Sequence, residues 1–222
     1  MIVDETESPR EAQDHVWLTK TLVEPAEMLS FVCDQQFENS DEYVALMWQF
    51  QFGESCNIDL LPKTMWPSSG QDDKRKLLPH IFSADGFLAV SEQMADVLRR
   101  FNLGQSKFVP VQFIHSDRKT PFPGTHYFFH IQERKLGFDP DHSVRYRPKK
   151  FENQTHKGSM PIDLRDGDIA VNPTVREGAD VWKDYSLLKS LFFSAKAMTA
   201  MRDAKLLNDK MIIAKCPIVR IH

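Results

Sequence analysis

The chain carries one short unit twice, and this repeat limits the folds open to it. Leu88-Ala-Val-Ser91 opens the first copy and Leu191-Phe-Phe-Ser194 the second. After each serine the pattern is helical, over Glu92 to Phe101 and Ala195 to Ala204. A polar break follows each helix, then a strand, over Phe108 to Ile114 and Met211 to Cys216. Without a gap, Ser91 falls on Ser194, Arg99 on Arg202, Leu103 on Leu206 and Lys107 on Lys210. Met94, Val97, Leu98 and Phe101 form an i, i+3, i+4, i+7 stripe, the mark of one buried helical face. The matching stripe is Ala197, Ala200, Met201 and Ala204, with smaller side chains. Two strand–helix–strand units among further strands predict an α+β fold, with a mixed sheet and helices.

The remaining elements are irregularly spaced. Asp41 to Phe52 is rich in aromatic and branched residues, and Gln49 and Gln51 alternate with Trp48, Phe50 and Phe52, which predicts a half-exposed strand. Pro62 to Lys76 reads as a loop and Asp117 to Gly124 as a turn. Thr125 to Gln132 is a strand with Tyr127-Phe-Phe129 at its centre. Ile162, Leu164, Ile169 and Val171 suggest short strands around a hairpin-like turn at Arg165-Asp-Gly-Asp168. Residues 1–14 read as a flexible acidic tail, 15–135 as an N-terminal half with the first unit, and 136–222 as a C-terminal half with the second. The two halves are expected to make one compact globular unit.

Charge and cysteine usage narrow the classes of function. The formal charge of −3 argues against nucleic acid or an anionic membrane as main partner. Cys33, Cys56 and Cys216 are scattered with no CxxC pair, as reduced thiols of a cytosolic protein would be. Cys216 lies in an apolar strand and is expected in the core. Met1 to His15 holds Asp4, Glu5, Glu7, Glu11 and Asp14 against Arg10, with no apolar segment of a signal peptide. No apolar run is long enough to span a bilayer. These features predict a cytoplasmic protein.

Four clusters could carry chemistry. His126 and His130 are four apart, with His115 and Asp117 nearby; on a strand that spacing is about 13 Å, too far for one metal with bonds of about 2.1 Å. Val144-Arg-Tyr-Arg-Pro-Lys-Lys-Phe151 interleaves bases with aromatics, so Arg145 to Lys150 could grip nucleic acid, or could be a solvated face. Asp163, Asp166, Asp168 and Glu177 are acidic neighbours in sequence. They could meet a basic partner, serve as an acid/base pair with the histidines in an enzyme, or be solvated turn charge. Ser91 and Ser194 each precede a helix, where serine caps free N–H groups, and neither sits in a G-x-S-x-G elbow. No glycine loop for phosphates or dinucleotides is present. No metal, cofactor or catalytic residue is assigned on these grounds.

The segment Leu78-Pro-His-Ile-Phe82, Leu88-Ala-Val-Ser91 with its helix, Phe108-Val-Pro-Val111 and Tyr127-Phe-Phe129 resembles immunity proteins of bacterial polymorphic-toxin systems, the group typified by a myxobacterial protein. Asp180-Val-Trp-Lys-Asp184, Leu191-Phe-Phe-Ser194 and the final helix and strand resemble it too, so the likeness runs from about residue 77 to 222. Family members carry glycines near the end of the second helix, where this chain has Lys205-Leu-Leu-Asn208. The resemblance implies a non-enzymatic protein that binds and neutralises a cognate toxin. It carries over no catalytic residue. The acidic set Asp163, Asp166, Asp168 and Glu177 is then the expected toxin-facing surface.

Overall fold

The structure is a computed structural model that describes residues 14–24, 28–68, 70–148 and 157–219. All but the last residue of the expected acidic tail lie outside the described residues. In chain order the elements begin with strands β1 (His15–Thr19), β2 (Met28–Leu29) and β3 (Phe31–Val32), then helices α1 (Asp34–Glu38) and α2 (Ser40–Phe52). Next come β4 (Thr64–Pro67), α3 (Gly70–Asp73), β5 (Ile81–Ala84), β6 (Phe87–Ser91), α4 (Glu92–Leu98), β7 (Lys107–Phe113) and β8 (His126–His130). Short strands follow: β9 (Arg134–Lys135), β10 (Phe138–Asp139), β11 (Arg147–Pro148), β12 (Gly158–Ser159) and β13 (Ala170–Val171). The chain closes with β14 (Val181–Asp184), β15 (Leu187–Leu188), β16 (Leu191–Ser194), α5 (Ala195–Asp203) and β17 (Ile213–Pro217). The fold is α+β, as the sequence predicts.

Two sheets organise the molecule. The larger runs β2-β5-β6-β8-β7-β4-β3 and the smaller β17-β1-β16-β14-β9. In the larger, β8 lies antiparallel between β6 and β7, with Ser91 and Val111 both opposite His126. In the smaller, β1 lies antiparallel between β16 and β17, with Ser194 and Cys216 both opposite Val16. Each strand–helix–strand unit therefore receives a third strand between its own two. The first takes that strand from the chain that follows; the second takes it from the N-terminal strand β1. The outer neighbours match as well. Ile81 pairs with Val90 one residue before Ser91, and Val181 pairs with Phe193 one residue before Ser194. The Ser91 N–H donates to the His80 carbonyl at 2.9 Å, and the Ser194 N–H to the Asp180 carbonyl at 2.8 Å. The gap-free alignment fails after the helix. Val111 and Cys216 hold equivalent positions, so the second copy carries two extra residues before its last strand, and α5 is longer than α4.

The serines cap as their position predicts. Ser91 Oγ accepts the Met94 N–H and Ser194 Oγ the Ala197 N–H, each at 3.3 Å. Replacing either serine by alanine is expected to cost about 0.5–2 kcal/mol. Denaturant titration of the two single variants measures this, and no loss at either site contradicts the capping role. At its far end α5 closes with the Leu206 N–H on the Met201 carbonyl and the Lys205 N–H on the Arg202 carbonyl, a Schellman arrangement. Lys205 occupies the left-handed position at φ 56°, and it opens the Lys205-Leu-Leu-Asn208 stretch where the resemblance leads one to expect glycines.

Four expectations are corrected. Asp41 to Phe52 belongs to helix α2, not to a strand. Tyr43, Leu46 and Phe50, at i, i+3 and i+7, are buried, and Gly53 ends the helix in the left-handed region at φ 70°. Pro62 to Lys76 is not all loop, because β4 pairs with both β3 and β7 and lies inside the larger sheet. The Arg165–Asp168 turn does not join two paired strands; β13 pairs with β10 instead. The α5 stripe also shifts. Ala197, Met198 and Met201 are buried, while Ala204 is exposed beyond the helix.

The main core draws on both sheets. Phe87, Phe113, Phe128, Leu98, Met198, Met201, Val181 and Phe193 belong to one buried cluster, and α4 packs on α5. A second cluster of Leu18, Trp182, Phe192, Ile169 and Cys216 lies behind the smaller sheet. Cys216 is in the core, as its apolar strand predicts.

Candidate functional site

The expected acidic surface is largely neutralised from within. Asp168 is buried, at 5 % exposure, and accepts hydrogen bonds from Arg145 Nε at 2.8 Å, Arg145 Nη2 at 2.7 Å and the Arg165 N–H at 2.7 Å. It is therefore an interior group, not part of a docking face. Asp163 is exposed but pairs with Arg145 and Arg165, and its hydrogen bond from Arg145 holds its pKa below the ordinary carboxylate value. Asp166 is exposed and accepts the Lys215 N–H at 2.7 Å. Glu177 is exposed on a separate turn. The same contacts dispose of the basic run. Arg145 is held by these carboxylates, Tyr146 packs edge-on against Phe138, and Arg147 Nε donates to the Met160 carbonyl. Lys149 and Lys150 lie outside the described residues.

The histidines point inward. His126 is buried among Phe82 and Phe113, and burial pushes its pKa down. His130 stacks on Phe50 at 4.9 Å, and its Nε2 donates to the Glu54 carbonyl at 3.0 Å. Burial, with Lys183 and Lys107 nearby, pushes His130 down to about 4. Among the described residues no hydrogen bond or ion pair joins either histidine to Asp163, Asp166 or Asp168, so the convergence an enzyme would need is not formed. Nor do three or more His, Cys, Asp or Glu side chains gather as metal ligands among the described residues. Ser91 Oγ lies 2.8 Å from His80 Nδ1, the spacing of a nucleophile and its base. Ser91 is buried, though, and its oxygen is spent on the helix cap.

Helix α2 leaves a continuous apolar row at the surface. Its inner side chains leave Val44, Trp48 and Phe52, at i, i+4 and i+8, on the outside. Val44 is 44 % and Trp48 43 % exposed, and Trp48 stacks on Phe52 at 5.4 Å. Beyond Phe52 the surface enters a recess of about 260 Å³ lined in part by Gln51, Arg134, Lys183 and Tyr185. Arg134 lies over the Tyr185 ring at 4.4 Å. Lys183 is buried, donates to the Phe50 carbonyl at 2.7 Å, and is pushed down to about 7 by burial and by Arg134.

The α2 region also concentrates charge. Thr21 to Pro62 contains Glu24, Glu27, Asp34, Glu38, Asp41, Glu42, Glu54 and Asp59 and no Lys, Arg or His, in a chain of net charge −3. Reading the acidic residues only around Asp163 misses this segregation, although charge counted in blocks along the chain displays it.

No curated protein matches the chain. A family model described as "Immunity protein family (Imm11)" matches residues 64–211, which hold the whole first strand–helix–strand unit and the strand β16 and helix α5 of the second. That match covers well over half of the 222 residues and agrees with the likeness carried by Leu78–Ser91, Tyr127–Phe129 and Asp180–Ser194, so the chain belongs to the Imm11 immunity protein family.

Proposed function

We propose that this protein binds and neutralises a cognate toxin of a bacterial contact-dependent or secretion-system toxin pair. Membership of the immunity family is the observation that carries this reading. Inhibition is by occlusion: a folded scaffold covers the toxin's working surface and performs no chemistry of its own. The inward histidines and the internally paired Asp163–Asp168 loop support a scaffold rather than an enzyme. No helix among the described residues is long and apolar enough to cross a membrane, and we place the protein's action in the cytoplasm, where an immune cell must meet an incoming toxin. The shared strand order and serine caps of the two units support an internal duplication, and the common core supports one globular unit spanning both halves.

Protection at low toxin concentration requires tight binding. A 1:1 complex with a Kd near the nanomolar range, about −12 kcal/mol, is expected. Titration calorimetry with the C-terminal domain of the protein encoded by the adjacent reading frame measures it. A Kd weaker than micromolar contradicts the proposal.

A further inference from the structure

We propose that helix α2 and its flanks form the docking surface of this protein, and that the partner presents a basic face whose Lys or Arg side chain enters a slot between Glu38 and Glu42 while an apolar recess takes Trp48. The identity of that partner as a toxin rests on the proposed function; the chemistry of the surface does not.

The slot is a recess of about 180 Å³ lined by Gln35, Glu38, Asn39, Glu42, Tyr43, Leu46 and Leu60. Its floor is apolar and its rim carries two carboxylates. A long cationic side chain matches this arrangement, with its methylene stem against Leu46 and Leu60 and its charged head at the rim. Among the described residues no cation neutralises the rim, and Glu42 Oε2 accepts one hydrogen bond from Asn39 Nδ2 at 2.7 Å. Among the described residues no ion pair involves Glu38, Asp41, Glu42, Glu54 or Asp59, all of them exposed. Several other carboxylates do meet cations: Asp96 with Arg99, Asp163 with Arg145, Asp180 with Lys196, and within the same segment Glu24 with Lys20 and Asp34 with Arg118. Asp41 and Glu42 sit in the first turn of α2, where they favour the helix dipole. Glu38 does the reverse, since it ends α1. Glu38 and Glu42 also share one recess, where like charges repel. A bound cation relieves both penalties.

The opposite flank of α2 is also rich in acceptors. A second recess, of about 450 Å³, is lined by Gln36, Ser40, Tyr43, Val44, Met47 and Asp85. Gln36, which lines it, has its Oε1 buried with no hydrogen-bond partner among the described residues. The two recesses meet at Tyr43, and the Val44–Trp48–Phe52 ridge runs on from the second, which Val44 lines. A half-exposed Trp on such a ridge has the composition of a binding hot spot. The surface as a whole offers apolar area and negative charge, which selects a partner that is apolar and positive. Apart from Asp85, the surface is formed by residues 34–62, outside the span matched by the family model, so its exposed positions can differ between pairs while Tyr43, Leu46 and Phe50 keep the core.

The test has two arms. In the first, affinity for the C-terminal domain of the adjacent reading frame's product is measured for wild type, for Glu38→Lys with Glu42→Lys, for Trp48→Ala, and for Asp166→Lys with Glu177→Lys. The α2 charge reversal is expected to weaken binding at least 100-fold, and Trp48→Ala about 30-fold. The Asp166 and Glu177 pair is expected to change it less than threefold. Glu38→Lys improves the charge at the end of α1 but Glu42→Lys worsens it at the start of α2, so unchanged far-ultraviolet circular dichroism of the double variant is the control that separates lost binding from a lost helix. If wild type binds and the α2 variants bind equally well, the surface is wrong and the immunity reading stands. If wild type does not bind, the immunity reading fails and the second arm decides the surface alone. There, n-butylguanidinium is titrated into the 15N-labelled protein. Amide shifts are expected around Glu38, Glu42, Leu46 and Leu60, and are lost in Glu38→Gln with Glu42→Gln. Shifts elsewhere only, or none, overturn the slot.

Discussion

Truncating Leu98 or Met201 to alanine lowers stability by about 2–5 kcal/mol. Both side chains are fully buried, one on α4 and one on α5, and both belong to the cluster that spans the two sheets. Each deletion removes apolar contacts and leaves a cavity that the β-sheet beneath the helix cannot collapse to fill. Urea unfolding of each variant measures the loss. Changes below about 0.5 kcal/mol at both sites would remove the central role given to these helices.

Acidification from pH 7 to 4.5 destabilises the protein before its carboxylates protonate. His130 has its pKa pushed to about 4 in the fold, against an ordinary value of 6.5. The unfolded chain takes up a proton that the folded chain refuses. Stability from this group is therefore complete above about pH 6.5 and is lost as pH falls toward 4. The shift corresponds to roughly 3 kcal/mol. His80 and His126 are pushed the same way by burial. Asp117, held at about 2, acts only below its ordinary 3.8, and Lys183, held at about 7, has largely taken up its proton by about pH 6, so the window from about 6 to 5 reports mainly the histidines. His130→Phe keeps the ring against Phe50 and is expected to flatten the pH dependence of the unfolding midpoint. Equal pH slopes for wild type and variant contradict the account.

The sequence made some of this legible and concealed the rest for physical reasons. Helices α4 and α5 announce themselves through a serine cap and a one-sided apolar stripe, and both appear. Helix α2 does not, because its inner residues Tyr43, Leu46 and Phe50 and its outer residues Val44, Trp48 and Phe52 are all apolar. A helix apolar on both sides loses the 3.6-residue signal, and its aromatic content then mimics a strand. Placing β1 within the second unit was equally hidden, since it pairs with strands nearly two hundred residues away. The acidic loop shows the limit for the site. Asp163, Asp166 and Asp168 look like one exposed cluster until Arg145 folds across them. The run without cations from Thr21 to Pro62 needs no structure to be seen, only its meaning does.

The central claim is protection of a living cell. The measurement is survival of cells that express the C-terminal domain encoded beside this gene, with and without this protein in the cytoplasm. Full rescue by this protein, none by an unrelated immunity scaffold, and loss of rescue when Glu38, Glu42 and Trp48 are replaced together is the predicted result. Survival no better than with an unrelated protein, together with no detectable complex, would contradict the account.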